Sequence, residues 1–321
     1  MSVVVTQRVH EAQLDRLRSA GLDVVGPLAD GPPPRAELLA AARGAGALLT
    51  LLTDRVDAEL LDAAPSLRVV ANVAVGYDNI DVAGAAARGV LVTNTPGVLT
   101  EATADLAMGL LLAVARRIPE ADAAVRDGRF PPWGLFQELI GSDVAGARLG
   151  IVGLGRIGRA VARRAALGFG MHVLYAGGAP DPSDAWAGGA EAVGFEELLA
   201  RADFVSLHAP LTPATRHLVD EAALRAMQPG AVLVNTARGP LVDEAALARA
   251  LSGGWIAGAG LDVFEREPEV EAALLASRRA VLTPHLGSAT ARTRLRMCAT
   301  AVDNVLAVAA GSVPPNLVAH R

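Results

Sequence analysis

The stretch Gly150-Ile151-Val152-Gly153-Leu154-Gly155-Arg156-Ile157-Gly158-Arg159 sets three glycines in a G-x-G-x-x-G frame, after a short apolar run and before an amphipathic segment, Ala160 to Phe169. A strand, a tight turn and a helix in that order suit a dinucleotide: the first glycine for the turn, the second for close approach of a pyrophosphate, the third for packing of helix on strand. The frame alone is common, so its surroundings decide the reading. It begins near residue 150, which leaves a long segment ahead of it.

Upstream, from Ser2 to about Thr95, short aliphatic runs alternate with helical patterns. Strands are expected at Val3–Val5, Asp23–Val25, Ala47–Leu52, Arg68–Val73 and Val90–Val92, and helices at Glu11–Ala20, Arg35–Arg43, Asp57–Ala63 and Val82–Arg88. Gly31-Pro32-Pro33-Pro34 is a loop within this unit. Thr100 to Asp105 reads as a capped, acidic first turn, and an apolar helix follows to about Ile118, with an irregular stretch from Phe130 through Trp133 to the glycine strand. Downstream, strands near His172–Tyr175, Phe204–Leu207, Ala231–Asn235, Ile256–Asp262 and Ala280–Leu282 bring the second series to about six, the number of a doubly wound dinucleotide domain. A last helix is expected over Ala289–Ala310. Alternation of this kind means parallel sheets covered by helices, so the fold class is α/β with two doubly wound units.

The 321 residues are 52% hydrophobic, enough for two cores, and the net charge of −5 provides no global basic field for nucleic acid. All 29 basic side chains are arginine. The absence of lysine excludes Schiff-base chemistry, pyridoxal-phosphate anchoring and a lysine-bearing phosphate loop. Cys298 stands alone and reads as a small buried residue rather than a nucleophile. The N-terminus reads as a first strand without a leader, and no charge-free apolar run reaches membrane-spanning length; the expectation is a cytoplasmic protein without membrane partners.

In an open α/β sheet, ligands sit beyond the carboxyl ends of the strands, so residues just past each strand matter most. Four places stand out: Thr236-Ala237-Arg238-Gly239, Val263-Phe264-Glu265-Arg266-Glu267-Pro268, Thr283-Pro284-His285-Leu286-Gly287-Ser288, and Ala74-Val75-Gly76-Tyr77-Asp78. Reduction of a 2-keto acid needs a fork of donors for a carboxylate, an acid for the carbonyl oxygen, and an orienter for that acid. Arginine, histidine and a carboxylate supply these in turn, and no metal is required. Singly, Arg238 is more often a surface or helix-cap arginine, Glu267 a loop carboxylate before proline and His285 a satisfied histidine; their joint placement at strand ends favours the functional reading. Asp203 and Asp78 read as local caps or turn residues.

In order and spacing, Gly153-x-Gly155-x-x-Gly158, Asn235-Thr236-Ala237-Arg238-Gly239, Gly260-Leu261-Asp262-Val263-Phe264-Glu265-x-Glu267-Pro268 and Thr283 to Ser288 resemble the D-isomer-specific 2-hydroxyacid dehydrogenases across essentially the whole chain. The resemblance implies a Rossmann dinucleotide domain, residues 98–286, inserted into a flavodoxin-like substrate domain made of 1–97 and 287–321, with a cleft that closes on substrate and residues 99–118 as an interdomain and dimer-forming helix. It implies His285 as acid/base, Glu267 as its partner, and Arg238 as carboxylate anchor and carbonyl polariser, with the amides of Val75 and Gly76 on the substrate carboxylate. For the cofactor it implies the turn Gly153, Leu154, Gly155, Arg156, Ile157 and Gly158, then Gly177 and Gly178. It adds the later strand ends Ala209, Pro210, Thr215, Thr236, Ala237 and Asp262, and finally Thr103, His285 and Gly287. His208 falls in a loop passing beneath the cofactor and is read as structural.

Val98 to Asp105, Leu211-Thr212-Pro213-Ala214-Thr215 and Gly287 to Arg294 look like the glyoxylate/hydroxypyruvate reductase branch. There, a tryptophan matching Trp133 can reach a partner subunit's substrate site, although an interface or core role fits Trp133 equally. The expected activity is hydride transfer between NAD(P)H and a small 2-keto acid, giving the D-2-hydroxy acid, by a homodimer. The cofactor site departs from the simple pattern: no acidic residue stands at Ala176 for a ribose 2′-hydroxyl, and Gly178 replaces the arginine of an NADP-type member. NADP is favoured, with use of both NADP and NAD next. The alternatives are another substrate (a bulkier 2-keto acid, formate or phosphite) or a cofactor-sensing corepressor on the same fold.

Overall fold

The computed structural model describes residues 1–130, 132–181, 183–184 and 186–318. Pro131, within the expected irregular stretch, and residues 319–321 lie outside the described residues. The chain divides into two compact units, Met1–Leu99 with Thr290–Arg321, and Thr100–Ala289.

The first unit is built on β1 (Ser2–Val5), α1 (Glu11–Ser19), β2 (Asp23–Val25), α2 (Arg35–Ala42), β3 (Ala47–Thr50), α3 (Ala58–Ala63), β4 (Val69–Asn72), α4 (Val82–Ala87) and β5 (Leu91–Thr93). Its five strands run parallel in the order β2-β1-β3-β4-β5, the flavodoxin-like order. Val4, Leu48, Val70 and Val92 line one core with Leu38, Leu60 and Leu61 from the helices. β3 stops at Thr50, short of the expected Leu52, because the amide of Leu51 donates to the Asp54 carboxylate at 2.7 Å instead of continuing the ladder.

The second unit opens with α5 (Thr100–Ala115) and α6 (Ile118–Arg126). A single helix was expected to reach Ile118. Pro119 has no amide for the Ala115 carbonyl, which accepts from the amide of Ser142 at 2.8 Å, and Arg117 turns the chain at φ 53°. The Rossmann series follows: β6 (Arg148–Leu154), α7 (Arg156–Phe169), β7 (His172–Gly178), β8 (Glu191–Ala192), α8 (Phe195–Arg201), β9 (Phe204–Leu207), α9 (Glu221–Ala226), β10 (Val232–Asn235), α10 (Glu244–Gly253), β11 (Gly258–Leu261), α11 (Ala272–Leu275) and β12 (Ala280–Leu282). A last helix, α12 (Ala291–Ala309), returns to the first unit.

The second sheet has seven parallel strands, β12-β11-β10-β9-β6-β7-β8, one more than the expected six. β8 is two exposed residues without an apolar signal, and β7 continues through Gly177-Gly178 although glycine is a poor strand former. Strand order reverses between β6 and β9, the switch point at which such sheets bind ligands. Alternate residues feed opposite faces: Leu233 packs into the core under α8, α9 and α10, while Val232 and Val234 pack into the core under α5 and α7. Among the described residues, no helix is long and apolar enough to cross a membrane.

Candidate active site

The carboxyl edge of the second sheet gathers the residues singled out above. At the end of β6, Gly153 has φ 92°, and a Cβ there would stand 2.7 Å from the Ala209 amide, so only glycine lets the turn meet the loop after β9. A Cβ on Gly158 would lie 2.4 Å from the Gly153 carbonyl oxygen. Gly155, by contrast, faces open space and precedes α7 with no side chain capping the helix. That bare N-terminus, carrying the positive end of a 14-residue helix, suits a pyrophosphate. The side chain of Leu154 is buried and that of Ile157 half-buried against the same core.

At the end of β7, a Cβ on Gly178 would come within 2.8 Å of the Leu154 carbonyl oxygen, with φ at 85°. The close pairing of β6 and β7 therefore has no room for the arginine that an NADP-type member carries. Just past it, Arg159 from α7 reaches Asp181 and Asp184, each at 3.0 Å.

After β9, His208 hydrogen-bonds Ser206 Oγ through Nε2 at 2.8 Å, and burial pushes its pKa down to about 4. Thr215 is used within its own loop, donating to the Pro210 carbonyl at 2.7 Å. After β10, Asn235 shapes the turn: its Nδ2 donates to the Arg238 carbonyl and its Oδ1 accepts from the Ala237 amide. Between them, the buried Thr236 hydroxyl has no hydrogen-bond partner, a donor left for a ligand to satisfy. One Arg238 Nη donates to the Ala237 carbonyl at 2.8 Å.

The loops after β11 and β12 are tied by Asp262, which is 1% exposed. Its Oδ1 accepts from the Thr283 hydroxyl at 2.6 Å and the Leu286 amide at 2.7 Å, its Oδ2 from the Gly287 amide at 2.8 Å, and its carbonyl from the His285 amide. Thr103 adds a bond to the Gly287 carbonyl at 3.1 Å. Within this clamp His285 sits at φ 54°, and its Nδ1 lies 2.8 Å from Glu267 Oε2. The other Glu267 oxygen accepts from the Phe264 amide at 3.0 Å. Burial alone would push the Glu267 carboxyl up. The hydrogen bond and charge of His285, the Phe264 amide and the charge of Arg238 outweigh it and hold the group below the usual carboxylate range. With Glu267 ionised, Nδ1 carries the shared proton and Nε2 is the nitrogen left to face a substrate.

In the first unit, Val75 and Gly76 follow β4. Asn94 Nδ2 donates to the Val75 carbonyl at 2.8 Å and Asn72 Nδ2 to the Gly76 carbonyl at 2.9 Å, so the Gly76 amide, trans to the Val75 carbonyl, points away from Asn94. Asn72 and Asn94 carry no motif in the sequence, and Asn235 stands there only as part of the Arg238 motif without a role; the one further signal is an amide side chain at or just after a strand end. Trp133 stands 82% exposed. Among the described residues, no cluster of three or more His, Cys, Asp or Glu could hold a metal ion.

A family model described as the NAD binding domain of D-isomer specific 2-hydroxyacid dehydrogenases matches residues 108–287, more than half of the chain. The chain belongs to that family. It is 53% identical over 290 residues to a glyoxylate reductase of Thermococcus litoralis, covering 89% of this chain and 87% of that protein. Among solved structures, the TT0316 protein of Thermus thermophilus superposes with a TM-score of 0.92 at 49% identity, covering 99% of this chain and 100% of that one. An NADPH-dependent glyoxylate/hydroxypyruvate reductase of Sinorhizobium meliloti, in complex with NADP and malonate, gives a TM-score of 0.85 at 38% identity, covering 99% and 96%. This member of the family is thus a D-2-hydroxyacid dehydrogenase of the glyoxylate reductase branch, with a nicotinamide cofactor.

Proposed function

We propose that the protein is a cytoplasmic NAD(P)H-dependent reductase of glyoxylate and hydroxypyruvate, with His285 as proton donor. The observation that carries this reading is the 2.8 Å bond between His285 Nδ1 and Glu267 on the ligand-binding edge of a Rossmann sheet. The bare N-terminus of α7, the open face of Gly155 and the unpartnered Thr236 hydroxyl fit a dinucleotide. When bound, the nicotinamide supplies the hydride.

The chain's own residues do the rest. Arg238 binds the substrate carboxylate through its guanidinium fork and polarises the carbonyl, and the amides at Val75 and Gly76 bind the carboxylate further. His285 hands a proton from Nε2 to the carbonyl oxygen, and Glu267 fixes the tautomer and stabilises the charged ring. The discontinuous segments 1–97 and 287–321 form the substrate domain and 98–286 the nucleotide domain. For the cofactor, NADP is the preferred form with NAD also used: no carboxylate stands at Ala176 to repel a 2′-phosphate, while Arg159 is already engaged by Asp181 and Asp184. The test is oxidation of NADH and NADPH with glyoxylate, hydroxypyruvate, pyruvate and phenylpyruvate.

The working form is a homodimer. Phe130, Trp133, Leu135, Phe136 and Ile140 are 57–89% exposed along one short segment, more apolar surface than a monomer ordinarily leaves to water. A second copy covers it in this reading, which would place Trp133 against its partner. Sedimentation at micromolar concentration should give a dimer; a monomer there overturns the assignment.

A further inference from the structure

The loop that carries Glu267 is held by groups outside its pair with His285. A Cβ on Gly239 would fall 1.9 Å from the Phe264 carbonyl carbon, so the loop bearing Arg238 and the loop bearing Glu267 meet backbone to backbone. The segment at His217 is strung onto the first of these, its amide donating to the Pro240 carbonyl at 2.8 Å. Its ring meets Glu265 Oε1 at 2.5 Å.

Glu244 closes this assembly. It opens α10, directly after the N-cap Asp243, and is 5% exposed. Its Oε1 accepts from the amide of Glu265 at 2.6 Å. One buried carboxylate therefore grips the chain two residues before Glu267. A first-turn acid of a helix ordinarily serves its own helix; this one serves a different segment. The charged groups around it are Glu265, which faces His217 and Arg216, and Glu271, 3.8 Å from Arg266. Burial holds the Glu244 carboxyl above its usual range, with the charges of Glu265 and Glu271 adding to the effect and the amide of Glu265 opposing it. Keeping a carboxylate there is costly, and the bond to the loop is what offsets the cost.

We propose that Glu244 is a positioning residue for the reduction: by tying down the amide of Glu265 it fixes the loop that aims the Glu267 carboxylate at His285 Nδ1. The proposal rests on Glu267 being the partner of the proton donor. It is tested in the full-length enzyme with Glu244→Ala, Glu244→Gln, Glu267→Gln and the Glu244→Ala/Glu267→Gln double variant, each shown to be folded by thermal melting.

Glu244→Ala should lower kcat about tenfold while the KM for glyoxylate and the Kd for the cofactor stay within about threefold. Glu244→Gln, which keeps one acceptor, should recover most of the loss. In the Glu267→Gln background the same Glu244→Ala change should cost less than about twofold, because the loop then has no carboxylate to aim. An equal loss in both backgrounds, or a loss confined to KM and cofactor binding, overturns the proposal and leaves Glu244 a general brace. Unchanged kcat in Glu267→Gln alone would instead remove the reading on which the proposal rests. If Glu244→Ala does not fold, Glu244→Asp, too short to reach the Glu265 amide, takes its place in the same comparison.

Discussion

His285 occupies backbone space that a non-glycine residue seldom adopts, at φ 54°. Such a conformation costs on the order of 1–3 kcal/mol and persists only where the surroundings over-determine it. Here they do: Asp262 ties the side chain of Thr283 and the amides of Leu286 and Gly287 on both sides of the histidine. Asp262 itself was legible as a strand-end residue, but not as a clamp, because its partners lie more than 20 residues along the chain and meet it only once β11 and β12 pair. A second histidine carries a pH consequence. His208 keeps partial surface accessibility, yet its imidazole is enclosed and its pKa pushed down to about 4. Its unfolded value is near 6.5, so between the two the unfolded chain binds the proton and the folded one does not, and stability falls as pH drops. By this linkage the protein should lose on the order of 1–2 kcal/mol between pH 7 and pH 5. Urea unfolding at both pH values should show a smaller loss in His208→Asn; an identical loss in both proteins would discard the assignment.

Among the elements, the glycine turn of β6 and α7 divides its labour in a way that substitutions can separate. Gly158 lies where a Cβ would meet the Gly153 carbonyl, so Gly158→Ala must push α7 off β6 and should cost about 1–3 kcal/mol of stability. Gly155 has nothing within 4 Å. Gly155→Ala should melt with the wild type but bind nucleotide less tightly, because the new methyl occupies the space before the helix amides. Thermal melts with fluorescence titration of both cofactors distinguish the two. Unchanged affinity in Gly155→Ala, or an unshifted melt in Gly158→Ala, would contradict this division. Strands and helices with strong period were legible in the sequence to within a few residues. What was not legible depended on competition for hydrogen bonds, as at the stop of β3 at the Asp54 carboxylate and the break of α5 where Pro119 lacks an amide, or lacked an apolar signal, as in the two exposed residues of β8.

Across the whole molecule, two parallel sheets with different strand orders account for the positions of the strand-end candidates. The flavodoxin-like unit presents Val75 and Gly76, and the Rossmann unit presents Arg238, Glu267, His285 and the open glycine turn. The strand ends could be read from the sequence because a parallel sheet sends its loops to one edge. The supporting pair of Glu244 and Asn94 could not, since each acts on backbone about 20 residues away that only the folded chain brings near. The measurement that bears most directly on the assignment of His285 is the glyoxylate-dependent oxidation of NADPH and NADH by the wild type and by His285→Gln, with cofactor affinity measured alongside. The wild type should turn over rapidly, and His285→Gln should lose at least about a hundredfold in kcat with nearly unchanged cofactor binding. Near-normal turnover in His285→Gln, or tight cofactor binding by a wild type that reduces none of the 2-keto acids, would contradict it.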